Sequence, residues 1–324
     1  MFRFARKLVE ELNQDVSFSF RQLGKYPLYS AIVIATFAVG IAANTAIFSV
    51  MDAIVLRPLA VPDLDRVVSV AEQRRVAGGQ GASAASDGIS FADFVDFCDQ
   101  SRSFAQLAAR TSGEMTLTGI SAAIGVPETG ESESVRVVRA TTDLFSLYRI
   151  APMLGRSFGA GEDTTGHDGE VVLTYAFWKT HFGWRPDAVG NKMELDGRTY
   201  TVIGVMPHGF DHVAYSDVWL PLALNAEQQR DRASRNMTVV GRLQSGATLA
   251  SATQELDVIA AEIARQSPGT NQGWVVKMRP LLETVNGDYT PQYTRVILFA
   301  TLLLMVVVCA NISNLQFARA ATGW

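Results

Sequence analysis

His208 and His212, with Asp211 between them, are the best arrangement for holding a metal ion in this sequence. On a helix, two histidines at that spacing share one face and can bind one ion. Pro207 and Gly209 favour a turn there, so a solvated loop is expected and no metal is assigned. His167 and His181 have no second ligand at a telling spacing. Glu131 and Glu133 would share one strand face as a solvated acidic edge, and the adjacent Glu162 and Asp163 would point apart. Cys98 is expected on the buried face of its helix, as a small apolar residue rather than a nucleophile. Its distance in sequence from Cys309, inside an apolar run, argues against a disulfide. No G-x-x-x-x-G-K-[ST], G-x-S-x-G or H-E-x-x-H pattern occurs. The sequence therefore offers no catalytic residues, no cofactor site and no P-loop for ATP, and the chain is not expected to be an enzyme.

The elements that would carry such residues have clear patterns. Arg66–Gln73 alternates like a strand, a Gly/Ala/Ser-rich loop covers 77–88, and Ser90 starts a helix as N-cap. Asp93 stands where a capping box needs its acid, and Phe91, Phe94, Val95 and Cys98 form the expected buried face. Phe104–Thr118 returns as a strand. A second unit repeats the order: strand Met237–Leu243, a helix begun by Gly246 and Thr248, and strand Trp274–Leu282. In that helix Leu249, Ala252, Leu256, Ile259 and Ile263 recur at helical spacing, and Pro268 with Gly269 stops it. Two β-α-β units around a strand-rich insertion, about residues 125–230, predict one layered α+β domain. Within the insertion, Asp196-Gly197 predicts a type I′ hairpin between Lys192–Leu195 and Arg198–Met206. Trp178, Phe182 and Trp184 are read as core or interface aromatics.

Both flanks of that domain are apolar. Residues 28–56 contain Asp52 as their only charge, and 296–318 contain none. At 1.5 Å per residue the first run reaches ~43 Å, more than a bilayer core requires. Both are expected to span a membrane, the first as a helix over 28–57, with Asp52 solvated above the hydrocarbon rather than paired across a bundle. The first run is too long for the apolar core of a cleaved signal peptide. Arg3, Arg6, Lys7, Arg21 and Lys25 precede it and place the N-terminus in the cytoplasm. Residues 58–295, with 21 basic and 28 acidic residues, would then lie outside, and nothing in this balance suits nucleic acid. Residues 1–27 read as an amphipathic cytoplasmic helix, lying on lipid head groups or on partner protein. Ala31, Ala35, Ala38, Ala42, Thr45 and Ser49 form a stripe of small residues suited to close helix packing in lipid. Asn44, Asn311 and Asn314 are expected to hydrogen-bond between helices.

GIAANTAIFSVMDAIVLRPL at 40–59 resembles the first span of permeases in the MacB (macrolide-exporter) and FtsX-like class of ABC transporters. It looks closest to the duplicated permeases common in acidobacteria. SFADFVDFCDQSRSFAQLAA, ATTDLFSLYRIAPMLGRSF, VGNKMELDGRTYTVIGVMPHGF, DVWLPL, VVGRLQSGATLASATQELDVIAAEIA and VCANISNLQFARA extend the resemblance over nearly the whole chain. It implies an inner-membrane, multi-pass permease with a MacB-like periplasmic core domain. That domain would have a porter-like part from 58–124 and 231–295, and a sabre-like insertion at 125–230. It also implies a separate cytoplasmic ABC ATPase as partner, whose closure moves the spans and the outer domain for export or signalling. The membrane is the other expected partner, and the small-residue stripe allows a homodimer. Family permeases continue past the second span, whereas 319–324 ends at Ala-Thr-Gly-Trp, so an N-terminal portion of such a permease is expected. The alternative is a two-span anchored sensor or binding module.

Overall fold

The structure is a computed structural model, described for residues 27–51, 61–74, 88–120, 132–210, 215–286 and 290–322. The cytoplasmic helix expected before Pro27, the loop at 77–87, Asp52, Glu131, Asp211 and His212 lie outside the described residues. The chain divides into two compact units, Pro58–Gly287 and a second made from Met1–Arg57 with Asp288–Trp324.

In the second unit, α1 spans Pro27–Met51 with no charged residue. Among the described residues no helix is long and apolar enough to cross a membrane. The larger unit begins after α1. Its elements run β1 (Val67–Arg74), α2 (Phe91–Gln100), β2 (Phe104–Ile120), β3 (Glu133–Ala140), α3 (Leu144–Tyr148), β4 (Leu154–Gly155) and β5 (Glu170–Leu173). Then follow α4 (Tyr175–Phe182), β6 (Lys192–Leu195), β7 (Arg198–Val205), β8 (Val218–Pro221), α5 (Ala226–Arg230), β9 (Thr238–Leu243) and α6 (Leu249–Gln266). The unit closes with α7 (Pro268–Asn271), β10 (Trp274–Pro280) and α8 (Leu281–Asn286); α9 (Thr290–Thr322) belongs to the other unit.

Both expected β-α-β units form. Strands β10-β1-β9-β2 are antiparallel neighbours in that order. In chain order this is 4-1-3-2, the arrangement of a split β-α-β sandwich, with the intervening strands inserted between its second and third strands. Helices α2 and α6 cover one face. There Phe94, Phe97, Leu256, Ile259 and Ile263 pack against Val68, Val70, Val239 and Met278. Thr248 and Ser251 cap α6 reciprocally, as the sequence pattern requires. Pro268 and Gly269 do more than stop that helix, because they open the short α7.

The sheet continues past β2. It runs through β3, β8, β5 and β7 to β4, with β6 bridging β2 and β7, so ten strands form one sheet. The join is β2 itself. Its first part pairs β9, Arg110–Leu117 pair β3, and its last residues pair β6. Alternation along β3 puts Val135 and Val137 in one core, with Phe177, Trp178 and Phe182 of α4, and Val138 and Ala140 in another. The expected hairpin forms between β6 and β7, with Asp196 at φ 47° and Gly197 at φ 74°. Both values are what a type I′ turn demands.

One helix face departs from expectation. On α2 the buried residues are Asp93, Phe94 and Phe97, while Val95 and Cys98 are exposed. Ser90 does cap the helix, accepting from the Asp93 amide at 3.1 Å, but the Asp93 side chain does not return the bond as a capping box would. It is committed to arginines, and that commitment rotates the helix away from the face its apolar residues alone define.

Candidate functional site

Among the described residues the candidate chemistry-bearing side chains do not converge. Among the described residues no group of three His, Cys, Asp or Glu could hold a metal ion. His208 meets Tyr175 edge-on at 5.2 Å, and His181 stacks on Phe177 and lies 3.0 Å from Glu133. Glu162 holds Arg156 at 2.6 Å and accepts from the Gly159 amide, and Asp163 faces Thr142. The Cys98 thiol is pushed up to about 12 by desolvation and by the charges of Asp99 and Asp143, although the residue is exposed at the surface. Desolvation first, and then its acidic neighbours, disfavour the thiolate there.

Two other constellations stand out, each built on a buried arginine. The first lies where the chain enters the larger unit. Arg242 on β9 is 1% exposed and, among the described residues, bonds no carboxylate. It donates to three carbonyls instead: Leu147 at 2.7 Å, Pro62 at 3.0 Å and Asp63 at 3.3 Å. One guanidinium fork thereby ties the incoming segment at 61–66 to the end of α3 and to the sheet. Arg66 adds a bond to the Leu243 carbonyl at 2.6 Å. Burial, then the like charge of Arg149, draws the Arg242 pKa downward. Asp63 and Arg149 both adopt left-handed backbone, at φ 50° and 56°, and their side chains pair at 2.6 Å.

Around this clamp, Val61 from the incoming segment and Leu281 from the outgoing one share a single core with α3. That core is aromatic. Phe145 meets Phe158, Phe210 and Trp219 at centroid distances of 5.4, 5.7 and 5.6 Å, and Tyr148 meets Phe210 at 5.9 Å. Trp219 belongs to β8, so packing runs unbroken from the junction into the inserted strands. Burial raises the Tyr148 hydroxyl to about 12, and among the described residues neither that hydroxyl nor the Trp219 Nε1 has a hydrogen-bond partner.

The second constellation lies on the α2 face. Glu72 of β1 and Asp93 of α2, at 1% and 0% side-chain exposure, flank Arg235. Arg235 reaches Glu72 at 3.1 Å and Asp93 at 3.3 Å, and its guanidinium lies 4.1 Å above the Trp274 ring. Arg232 bonds Asp93 and, at 2.6 Å, Asp96. Asn271 of α7 donates to Asp93 at 2.9 Å. Desolvation lifts Glu72 to about 7, helped by the charge of Asp93 and opposed by Arg235. Sequence reading missed both clusters. One signal was present: Glu72 follows Val68 and Val70 on one strand face, where alternation demands an apolar residue.

The expected packing residues of the helices also have places. Gly40 meets Val308 of α9, where an added Cβ would stand 2.9 Å from a Val308 methyl. Ala31, Ala35, Ala38, Ala42, Thr45 and Ser49 are exposed, as are Asn311 and Asn314. At ~100° per residue the stripe points about half a turn away from Gly40. Asn44 is half-buried, with an Oδ1 that has no partner among the described residues.

The profile of the MacB-like periplasmic core domain family matches residues 30–259. The chain belongs to that family. MacB-like periplasmic core domains are parts of ABC transporter permease-type proteins. The family is therefore a transporter component and not a classical enzyme. A permease-protein domain from Porphyromonas gingivalis superposes with TM-score 0.51 at 13% identity, covering 68% of this chain and 91% of that one. The periplasmic region of MacB from Actinobacillus actinomycetemcomitans gives 0.47 at 14% identity, covering 65% and 88%. The extracellular domain of the noncanonic ABC-type transporter YknZ gives 0.45 at 14%, covering 65% and 99%. No curated protein matches.

Proposed function

We propose that this chain is a permease subunit of a MacB/FtsX-type ABC transporter, in which a cytoplasmic ATPase drives motion of the outer domain for export or signalling. The observation that carries the reading is the extent of the family match, which begins at residue 30, inside α1, and runs to residue 259, inside α6. In this reading α1 and α9 cross the inner membrane. Part of each helix lies outside the described side chains, so the spans rest on sequence: 28–57 and 296–318, either side of a domain at 58–295. Exposed Ile34, Val39, Ile41, Phe299 and Leu302 suit a lipid surround. The porter-like part is 58–124 with 231–295, and the sabre-like part 125–230. The small-residue stripe, facing away from Gly40, is the face for a further helix or a second copy.

The structural element through which motion enters is the Arg242 clamp. Val61, Leu281 and the carbonyls of Pro62 and Asp63 are fixed to the same core, so a displacement of either flank reaches the sheet directly. Two experiments test the reading. Val258→Cys, on the exposed face of α6, is expected to react with a membrane-impermeant maleimide added outside spheroplasts in a background lacking Cys98 and Cys309. Labelling only after lysis would overturn the orientation. Co-purification of the full-length permease with its cytoplasmic ABC ATPase is expected, and a chain that instead recruits only a signalling module would establish the anchored sensor.

A further inference from the structure

We propose that Glu72 and Asp93 form a proton-linked latch, in which a proton held between the two carboxyls fixes the 231–237 segment onto β1 and α2, and its loss loosens that segment. The geometry supplies the elements of such a device. The segment joins α5 to β9 and is held at three points: Arg232 to Asp93 and Asp96, Arg235 to Glu72 and Asp93, and Met237 to Ile89 through paired backbone bonds of 2.9 and 3.1 Å. Two of those points pass through the buried carboxyl pair.

Charge counting shows why the pair needs a proton. Three carboxylates, Glu72, Asp93 and Asp96, face two guanidinium groups, Arg232 and Arg235. Fully ionised, the cluster carries one negative charge too many, and its inner carboxyls, Glu72 and Asp93, are out of contact with water while Arg232 and Asp96 at its rim keep 25% and 28% exposure. Among the described residues the surroundings supply no further cation. α7 contributes the neutral Asn271, and β10 places Val276 opposite Glu72 and Trp274 beneath Arg235. On β10 itself, Lys277 and Arg279 alternate to the other sheet face. Asp231 turns back to Ser234 and the Ala233 amide, Arg74 at the end of β1 is exposed, and Glu262 and Arg265 of α6 pair with each other. A protonated Glu72 resolves the excess by hydrogen-bonding Asp93 while keeping Arg235 in place.

The direction of the response follows from linkage. Glu72 rises from an ordinary 4.5 to about 7 in the closed cluster. Between those values the closed form binds more protons than an opened one, so closure weakens as pH rises through that window and levels off above it. The outer domain would be tighter in a mildly acidic medium than in an alkaline one.

The test is amide exchange of the full chain in lipid nanodiscs, corrected for the intrinsic pH dependence of exchange. Protection of the Ile89 and Met237 amides is expected to fall at least tenfold between about pH 5.5 and about pH 8.5, with an upper bound of ~30-fold set by the ~1.5 pH units of that range lying below the raised value. In Glu72→Gln, which fixes the neutral form, that slope is expected to vanish. Protection independent of pH in the wild type, or an unchanged slope in E72Q, would overturn the latch. Should E72Q fail to fold, the carbonyl chemical shift of ¹³C-labelled Glu72 in the wild type decides. A midpoint near neutrality supports the proposal and an ordinary glutamate midpoint sinks it. Asp93→Asn is expected to lower that midpoint, and no change would remove Asp93 from the latch.

Discussion

Arg242 and Arg235 are both buried, and both fasten a connecting segment to the same sheet, yet their partners differ in kind. Arg242 is held by three backbone carbonyls, which carry no proton to lose. Arg235 is held by two carboxylates crowded into a site where ionising both is costly. The first fastening is therefore indifferent to pH across the physiological range, and the second is conditional. The difference also follows position. The carbonyl clamp secures the segment through which the chain enters the domain, whereas the carboxylate cluster secures the segment that returns from the inserted strands to β9.

Substitutions sharpen the contrast. Arg242→Ala takes a donor from three carbonyls, of which only that of Asp63 keeps another among the described residues, the Arg66 amide, and is expected to cost about 4 kcal/mol, equally at acid and alkaline pH, in denaturant unfolding. A lysine there supplies a point charge without the fork and is expected to rescue little. Arg235→Ala is expected to cost about 3 kcal/mol in alkaline solution, where two buried carboxylates lose their cation. Because Arg235 holds the Glu72 pKa down, its loss lifts that pKa further, so the cost shrinks as pH falls. A pH-independent penalty at Arg235 would erase the distinction between the two sites. Asn271→Ala removes one bond to Asp93 and is expected to cost about 1.5 kcal/mol. The smallest effect belongs to Arg149→Ala, under ~1 kcal/mol and diminished by salt, because its pair with Asp63 is half-exposed on both sides.

The repetitive parts of the fold were legible in the sequence. Helix α6 and the β6–β7 hairpin each follow from a strong local signal, an apolar stripe in one and an Asp-Gly turn in the other. Helix α2 shows where local signals fail. Its phase is set by Asp93, whose burial is decided by arginines 139 and 142 residues further along the chain. Binary patterning sends charges to the surface, so Arg235 and Arg242 were invisible as core residues, and Glu72 showed only through its place on the apolar face of β1. Cys98 was misplaced for the same reason. The continuity of the sheet was hidden too, because nothing local in β2 reveals that it changes partners along its length.

That change of partners has a mechanical meaning. At ~3.3 Å per residue, the 17 residues of β2 extend over roughly 55 Å. Hydrogen-bonded to β9 near one end and to β6 at the other, the strand would act as a lever arm in the motion proposed above. A tilt of about 5° at its base would swing its tip by ~5 Å over a length of that order. Gain of this kind needs no hinge along the way, only a stiff beam and a firm fulcrum.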